Sequence, residues 1–334
     1  MLRQKDWYNR AIIKGRVKSL PQVIEGFPGV LFKDNAESGC LRLLRLQRPA
    51  RFSRGIERNL IMRIIDAHLH LFPSEPRTDA MAEGVGHKNS VEHLRQVYGE
   101  LNLVHGVVMG NRSLEVSYHS YPADLFHYCV GLDSTLMEGG KRLIPDLPDR
   151  VEEHLKRDAC CGVKLYPGYN HVWLSDPMYQ PIYELAARYD KPVAVHMGLT
   201  AHPRAHLKYC HPMVLDETAA DNRKTKFVMC HFGNPFFECA AAVVEKNHNV
   251  AADLSGLLEG RVDLEQYFRE QAGYVSLLRT WLIAIAQWDD IMYGTDWPIV
   301  NLGEYIRFIQ GIVPEKYWEN VFFHNANRIY GLGL

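Results

Sequence analysis

The sequence predicts an α/β protein, a (β/α)8 TIM barrel behind a poorly structured N-terminal extension. Three observations carry that expectation. From Met62 onward, short apolar runs that read as strands alternate with helical patterns, eight times over. No Gly-x-Gly-x-x-Gly follows the first strand, which removes the best support for the runner-up, a doubly wound sheet. The charge balance also breaks at residue 61/62. Residues 1–61 hold 13 basic and 5 acidic residues, the remainder 25 basic and 34 acidic, so +8 precedes −9.

Residues 1–61 show little sustained periodicity. Leu41–Leu46 fits a short amphipathic helix, but Pro21, Pro28 and Pro49 interrupt the rest. Three readings compete: a targeting arm, a docking segment, or a start codon assigned too early. The third is favoured, because Met62 stands directly before the first core strand and Glu57-Arg58 can be encoded by a run resembling a ribosome-binding site. Five acidic residues count against a transit peptide. The expected division is 1–61 outside the barrel and 62–334 as the barrel domain, so a chain starting at Met62 should keep its activity.

The eight strand candidates are 62–71, 104–111, 125–133, 160–166, 192–198, 226–233, 249–256 and 290–295. Helical patterns lie between them at 91–101, 114–121, 147–156, 178–189, 214–222, 237–246 and, as one long run, 264–287. Two more follow, at 302–312 and 315–330. Repeated strand–helix units imply a parallel sheet with right-handed crossovers.

Composition excludes several classes. The chain is 47% hydrophobic over 334 residues, enough for one large core or two modest ones. A net charge of −1 offers no nucleic-acid footprint. No apolar run approaches the ~20 residues of a membrane span, and the N-terminus lacks a signal-peptide core. Seven cysteines, an odd number without repeating spacing, suit reduced thiols in a cytoplasmic protein. Cys160 and Cys161, as strand neighbours, should face opposite ways.

The first strand carries Asp66-Ala-His-Leu-His70. Alternation should point Asp66, His68 and His70 one way, and two imidazoles on one face can grip one cation. The bland alternative is a half-buried strand with polar residues on its wet face. In a barrel, functional residues sit at the C-terminal strand ends. Those ends hold Lys164 and Tyr166, His196, His231, Asp253 with Ser255, and Asp296. A lone strand-end histidine is usually a satisfied core residue. Four histidines and an aspartate at such ends are hard to read as independent accidents.

Taken in order, Asp66-Ala-His-Leu-His, Gly-Val-Lys164-Leu-Tyr-Pro, Pro-Val-Ala-Val-His196, Val-Met-Cys-His231-Phe-Gly and Tyr-Gly-Thr-Asp296-Trp-Pro resemble the amidohydrolase superfamily. The closer likeness is to its amidohydrolase-related branch of metal-dependent TIM-barrel hydrolases and decarboxylases, over residues 62–332. The resemblance implies one divalent metal ion, zinc most commonly and manganese or iron otherwise, bound by His68, His70, His196 and Asp296. It implies Asp296 as catalytic base as well as ligand, and His231 as an acid/base or carbonyl-polarising group. Asp66 then orients its neighbours. Lys164 bridges two metals in binuclear relatives; in this branch substrate contact or structural pairing is the alternative.

Tyr166, Tyr169, His171, His202, Arg204, His206 and His211 lie near the mouth and can meet substrate, Arg204 by pairing with a carboxylate. Each has a solvated-loop alternative, as has Arg112. His87, His93, His119, His154 and His248 are expected on the surface. The activity implied is hydrolysis of a small-molecule amide, ester or lactone by a metal-activated water. The alternatives are non-oxidative decarboxylation of an aromatic or related acid, and a barrel that only binds a ligand. The apolar helix 275–286 suggests a homodimer.

Overall fold

Among the described residues, ten strands follow one another: β1 (Ile64–Leu69), β2 (Leu103–Met109), β3 (Phe126–Leu132), a hairpin of β4 (Met137–Glu138) and β5 (Arg142–Leu143), then β6 (Cys160–Leu165), β7 (Val193–Val195), β8 (Phe227–Met229), β9 (Val250–Asp253) and β10 (Ile291–Met292). All but the hairpin form one parallel sheet in sequential order. This computed structural model describes residues 62–72, 75–110, 113–132, 137–138, 142–143 and 146–334, so the expectations for residues 1–61 and for Arg112 lie outside the described residues.

The sheet closes on itself. Ala67 N–H donates to Tyr293 O (3.0 Å), Asp296 N–H to His68 O (2.8 Å) and His70 N–H to Trp297 O (2.8 Å). The first and last strands therefore share a seam, which completes the (β/α)8 barrel.

Alternation sorts the strand residues into two layers. Small and medium side chains (Ile65, Ala67, Cys129, Cys161, Ala194, Val228, Cys230, Ala251) fill the lumen. Phe323, Ile329, Tyr330 and Leu332 pack in the same cluster. Ile64, Val108, Val130, Cys160, Val163 and Val193 turn outward under the helices. Cys160 and Cys161 thus face opposite ways, as expected.

One sequence expectation fails here. Ile65 and Ala67 face the lumen, so Asp66 turns the other way, towards Thr295 and the Tyr98 hydroxyl. A register shift between Asp66 and Leu69 then restores His68 and His70 to the mouth. Pattern alone cannot show a bulge.

Among the described residues the α-helices are α1 (Pro76–Gly84), α2 (Val91–Leu101), α3 (Leu147–Leu155), α4 (Gln180–Arg188), α5 (Pro212–Asp221), α6 (Phe237–Lys246), α7 (Leu264–Glu270), α8 (Ala272–Ile285), α9 (Leu302–Ile312) and α10 (Asn325–Ile329). Two of their starts carry side-chain caps of the kind the sequence offers: Ser90 accepts from His93 N–H, and Asn301 from Glu304 N–H. The long run 264–287 is two helices, broken at Gln271. The run 315–330 holds a 3₁₀ turn, a π turn over Asn320–His324, and α10. Helix α1 went unread because its apolar residues define no face, although Glu75 caps it and Pro76 begins it.

His119 and His154 are buried rather than on the surface. His154 faces the Tyr128 hydroxyl (2.8 Å) and Leu114 O (2.9 Å), tying the loop after β2 to α3. His87 is half-buried and meets His93 (3.0 Å).

Candidate metal centre

The C-terminal ends of β1, β7, β8, β9 and β10 supply the mouth. Each histidine's second ring nitrogen fixes its proton. His68 Nδ1 lies 2.9 Å from Asp253 Oδ2, which can only accept, so Nδ1 carries the hydrogen and Nε2 a lone pair. His70 Nδ1 lies 3.0 Å from Met109 O, with the same consequence. Asp296 Oδ1 stands 3.4 Å from His68 Nε2 and 3.2 Å from His70 Nε2. Three acceptor atoms therefore converge, and His68 Nε2 is buried without a hydrogen-bond partner.

Such a cluster calls for a cation, either a proton or a metal ion. Burial, reinforced by the charge of Lys164, pushes His68 down to about 3, so it holds no second proton at neutral pH. A divalent ion is the better occupant. The arrangement, with a carboxylate or carbonyl behind each imidazole, is the support that metal-binding histidines use. The residues present fit a metal.

His196 stands one step away. Its Nε2 faces Leu199 O (2.8 Å) and so carries the hydrogen, leaving a lone pair on Nδ1. That atom faces His231 Nε2 at 3.1 Å. His231 Nδ1 in turn faces Ser255 Oγ (2.9 Å) and Ser255 O (3.2 Å). Burial lowers both imidazoles, and His196 is further lowered by His231 beside it. Two neutral rings then oppose lone pair to lone pair, a second place where a cation or a shared proton relieves repulsion. The structure thus brings His68, His70 and Asp296 together and joins His196 to them through His231.

Beneath the mouth lies a fully buried floor. Asp253 accepts from His231 N–H (2.9 Å), Ser255 N–H (3.1 Å) and the Ser255 hydroxyl. Burial pushes its carboxyl up, but His68, His231 and Lys164 outweigh that and hold it below the usual carboxylate range. Lys164 Nζ donates to Cys230 Sγ at 2.8 Å and lies over the Tyr166 ring at 5.3 Å. Asp66, on the far side of the strand, accepts from Thr295 N–H (2.9 Å), Thr295 Oγ1–H (2.6 Å) and His68 N–H (3.2 Å). It orients β1 against the Asp296 segment, as expected of it. Burial raises its carboxyl to about 7 despite those bonds.

Backbone strain gathers here. His231, Phe232 and Asp296 adopt left-handed φ values of 63°, 42° and 63°. Gly256 closes the gap between them: a Cβ there would lie 3.0 Å from His231 Nδ1 and 3.1 Å from Asp296 Oδ2. Asp296 therefore presents Oδ1 to the imidazoles of β1 and Oδ2 towards His231.

Other expected residues are more remote. Tyr166 is buried and donates to Gly110 O (3.3 Å). Tyr169 packs its ring 5.1 Å from His196 and accepts from Ala201 N–H (2.9 Å). His171 stacks on His206 at 4.0 Å and meets Arg204 O (2.7 Å). Arg204, His202 and His206 stay on an exposed loop, and His211 accepts from Met213 N–H to cap α5. Sequence reasoning passed over Phe72, which stacks on His70 at 6.1 Å, and gave Cys230 no role. Nothing in a single sequence marks either one.

The family model described as Amidohydrolase matches residues 141–332. No curated protein matches the chain. Among solved structures, 2,6-dihydroxybenzoate decarboxylase from Rhizobium superposes with a TM-score of 0.55 at 13% identity, covering 82% of this chain and 100% of that one. A probable 2-pyrone-4,6-dicarboxylic acid hydrolase from Acinetobacter baumannii gives 0.54 at 16% identity, covering 81% and 100%. A Burkholderia multivorans amidohydrolase with bound zinc gives 0.52 at 16% identity, covering 80% and 99%. At these identities the neighbours speak for the barrel alone. The family model spans more than half of the chain and runs through His196, His231 and Asp296, and the chain belongs to the amidohydrolase family.

Proposed function

We propose that the protein is a metal-dependent hydrolase that cleaves an amide, ester or lactone of a small molecule. The observation that carries this reading is the convergence of His68 Nε2, His70 Nε2 and Asp296 Oδ1, three acceptors with no hydrogen to share. A divalent ion there, zinc in the first place and manganese or iron(II) otherwise, would supply Lewis acidity to a water and to a substrate oxygen. His68, His70, His196 and Asp296 would hold it, His196 by turning Nδ1 from His231 to the ion. The zinc-bound Burkholderia neighbour supports the choice of metal.

The chain's own residues then divide the work. Asp296 keeps Oδ2 for the proton of the attacking water. His231 has its Nδ1 hydrogen fixed on Ser255, so Nε2 is the atom that exchanges protons with substrate. It takes one from the water or from Asp296 and returns it to the leaving group. Donation to a substrate oxygen, the other role expected of His231, requires the ring in its protonated form. Lys164, Tyr166 and Arg204 differ in their claim as substrate-binding residues: Tyr166 borders the floor, Lys164 is buried within it, and Arg204 stands on an exposed loop.

Decarboxylation of an aromatic or related carboxylic acid is the second reading, supported by the Rhizobium neighbour. The same proton on His231 Nε2 would then quench a carbanion. Cysteine usage, with the cysteines among the described residues all free, supports a cytoplasmic setting for this activity. The deciding assay is a panel of lactones, esters, amides and aromatic acids given to metal-loaded protein. We expect acid release without carbon dioxide. Carbon dioxide as the sole product would overturn hydrolysis.

A further inference from the structure

Lys164 is among the most deeply buried large side chains, and the proposed mechanism gives it no proton to move. An ammonium away from water is costly unless charge and hydrogen bonds compensate it. Among the described residues its hydrogen-bond acceptor is a thiol, Cys230 Sγ at 2.8 Å. A thiol is a weak acceptor, so the compensating charge must come from elsewhere.

It comes from the floor. A ring nitrogen of His68, Cys230 Sγ and a carboxylate oxygen of Asp253 all lie within 4.8 Å of one another, all three residues are fully buried, and His68 Nδ1 itself lies 2.9 Å from Asp253 Oδ2. Imidazole nitrogen, thiol sulfur and carboxylate oxygen are a donor set that zinc accepts. This second group shares His68 with the mouth and lies on the side where its Nδ1 faces Asp253. The ammonium sits on its sulfur corner, and its charge acts on both Asp253 and His68.

We propose that Lys164 is a built-in cation: its ammonium fills the pocket between Cys230, Asp253 and His68 and so restricts the centre to one metal ion. On this assignment Lys164 is a positioning residue. Its charge faces Asp253, whose Oδ2 accepts the His68 Nδ1 hydrogen at 2.9 Å and so leaves Nε2 for the ion at the mouth. It is not carboxylated, because Nζ is fully enclosed and spent on Cys230. The inference rests on the one-ion reading given above.

The probe is metal alone. Wild-type protein titrated with excess zinc should bind one equivalent, and protein exchanged with ¹³C-bicarbonate should show no carbamate signal. Lys164→Ala should bind a second equivalent with release of the Cys230 and His68 Nδ1 protons to solvent and, loaded with cobalt(II), gain a thiolate-to-cobalt charge-transfer band that the wild type lacks. Lys164→Ala/Cys230→Ala should lose both gains. Two equivalents or a carbamate signal in the wild type would overturn the assignment even if Lys164→Ala does not fold. A folded Lys164→Ala that stays at one equivalent would overturn it as well. Wild-type protein that binds no zinc would instead sink the metal reading itself, and this inference with it.

Discussion

Asp253→Asn tests the metal centre at a residue that touches no metal. Asp253 Oδ2 lies 2.9 Å from His68 Nδ1 and accepts its hydrogen. Its Oδ1 accepts from two backbone N–H groups, so an asparagine must keep its oxygen there. The new amide nitrogen then faces His68 Nδ1 with a hydrogen of its own. Two donors cannot share that contact, and the cheapest escape moves the imidazole hydrogen to Nε2. Nε2–H then points at Asp296 Oδ1, 3.4 Å away, and the lone pair meant for the ion is gone. Loss of a residue supporting a metal-binding histidine costs roughly 10- to 100-fold in affinity. A forced change of tautomer places Asp253→Asn at the upper end, about 2.8 kcal/mol. Competition between the protein and a chelator for zinc reads it, with circular dichroism to confirm the fold. Ser255→Ala is the control: it removes the hydroxyl 3.1 Å from His68 Nδ1 but leaves Asp253 Oδ2 as that nitrogen's acceptor. If Asp253→Asn holds zinc as tightly as that control, the tautomer argument is wrong.

Asp296→Asn should keep the fold and lose roughly 10²–10⁴ in kcat, whereas His231→Asn should keep one ion per chain and lose roughly 10²–10³. Metal analysis with steady-state rates separates the two, and a His231→Asn protein without metal would make His231 a ligand. Asp66 titrates near 7 in the fold against 3.8 unfolded, so its contribution to stability is full below pH ~4 and is lost as pH rises through 7. Asp66→Asn should flatten that fall, by about 4 kcal/mol at most, in denaturation midpoints measured from pH 4 to 8; an unchanged slope would refute the assignment. Helix α8 exposes Leu277 (49%) and Ile283 (51%), and we expect a homodimer through it. Light scattering at micromolar concentration should show a dimer that Leu277→Glu splits, and a wild-type monomer would count against it.

The barrel was legible because each of its parts leaves a local trace. Eight apolar runs gave the strands in their observed order, and Val91–Leu101 and Phe237–Lys246 match the expected helices end for end. The bulge in β1 left no trace, so Asp66 was assigned to the wrong face. Strand-end position was enough to nominate His68, His70, His196, His231 and Asp296, because a barrel converts that position into proximity. It could not tell which of them meet directly. That His196 faces His231 rather than His68 depends on loop backbone at Gly198 and Leu199, where no periodicity operates. His119 and His154 were placed on the surface because a polar residue in a helix usually faces water. Here Tyr128, Leu114 O and Ser113 O supply the partners that pay for burying them.

The seam between the first and last strands gives the ion a mechanical meaning. Hydrogen bonds across it join residues up to 229 positions apart. His68 and His70 belong to one lip, Asp296 to the other. An ion held by all three is a clasp, closing the longest loop in the barrel where a zipper of backbone bonds would otherwise open first. Ordering such a loop is a cost that rises only slowly with its length, so one clasp can offset most of it. Removing the ion should therefore loosen the rim before the wall. Amide exchange at Ala67, His70 and Asp296, faster with chelator while β6 stays protected, is the signature; uniform exchange across the sheet would mean that the barrel holds itself shut without the metal.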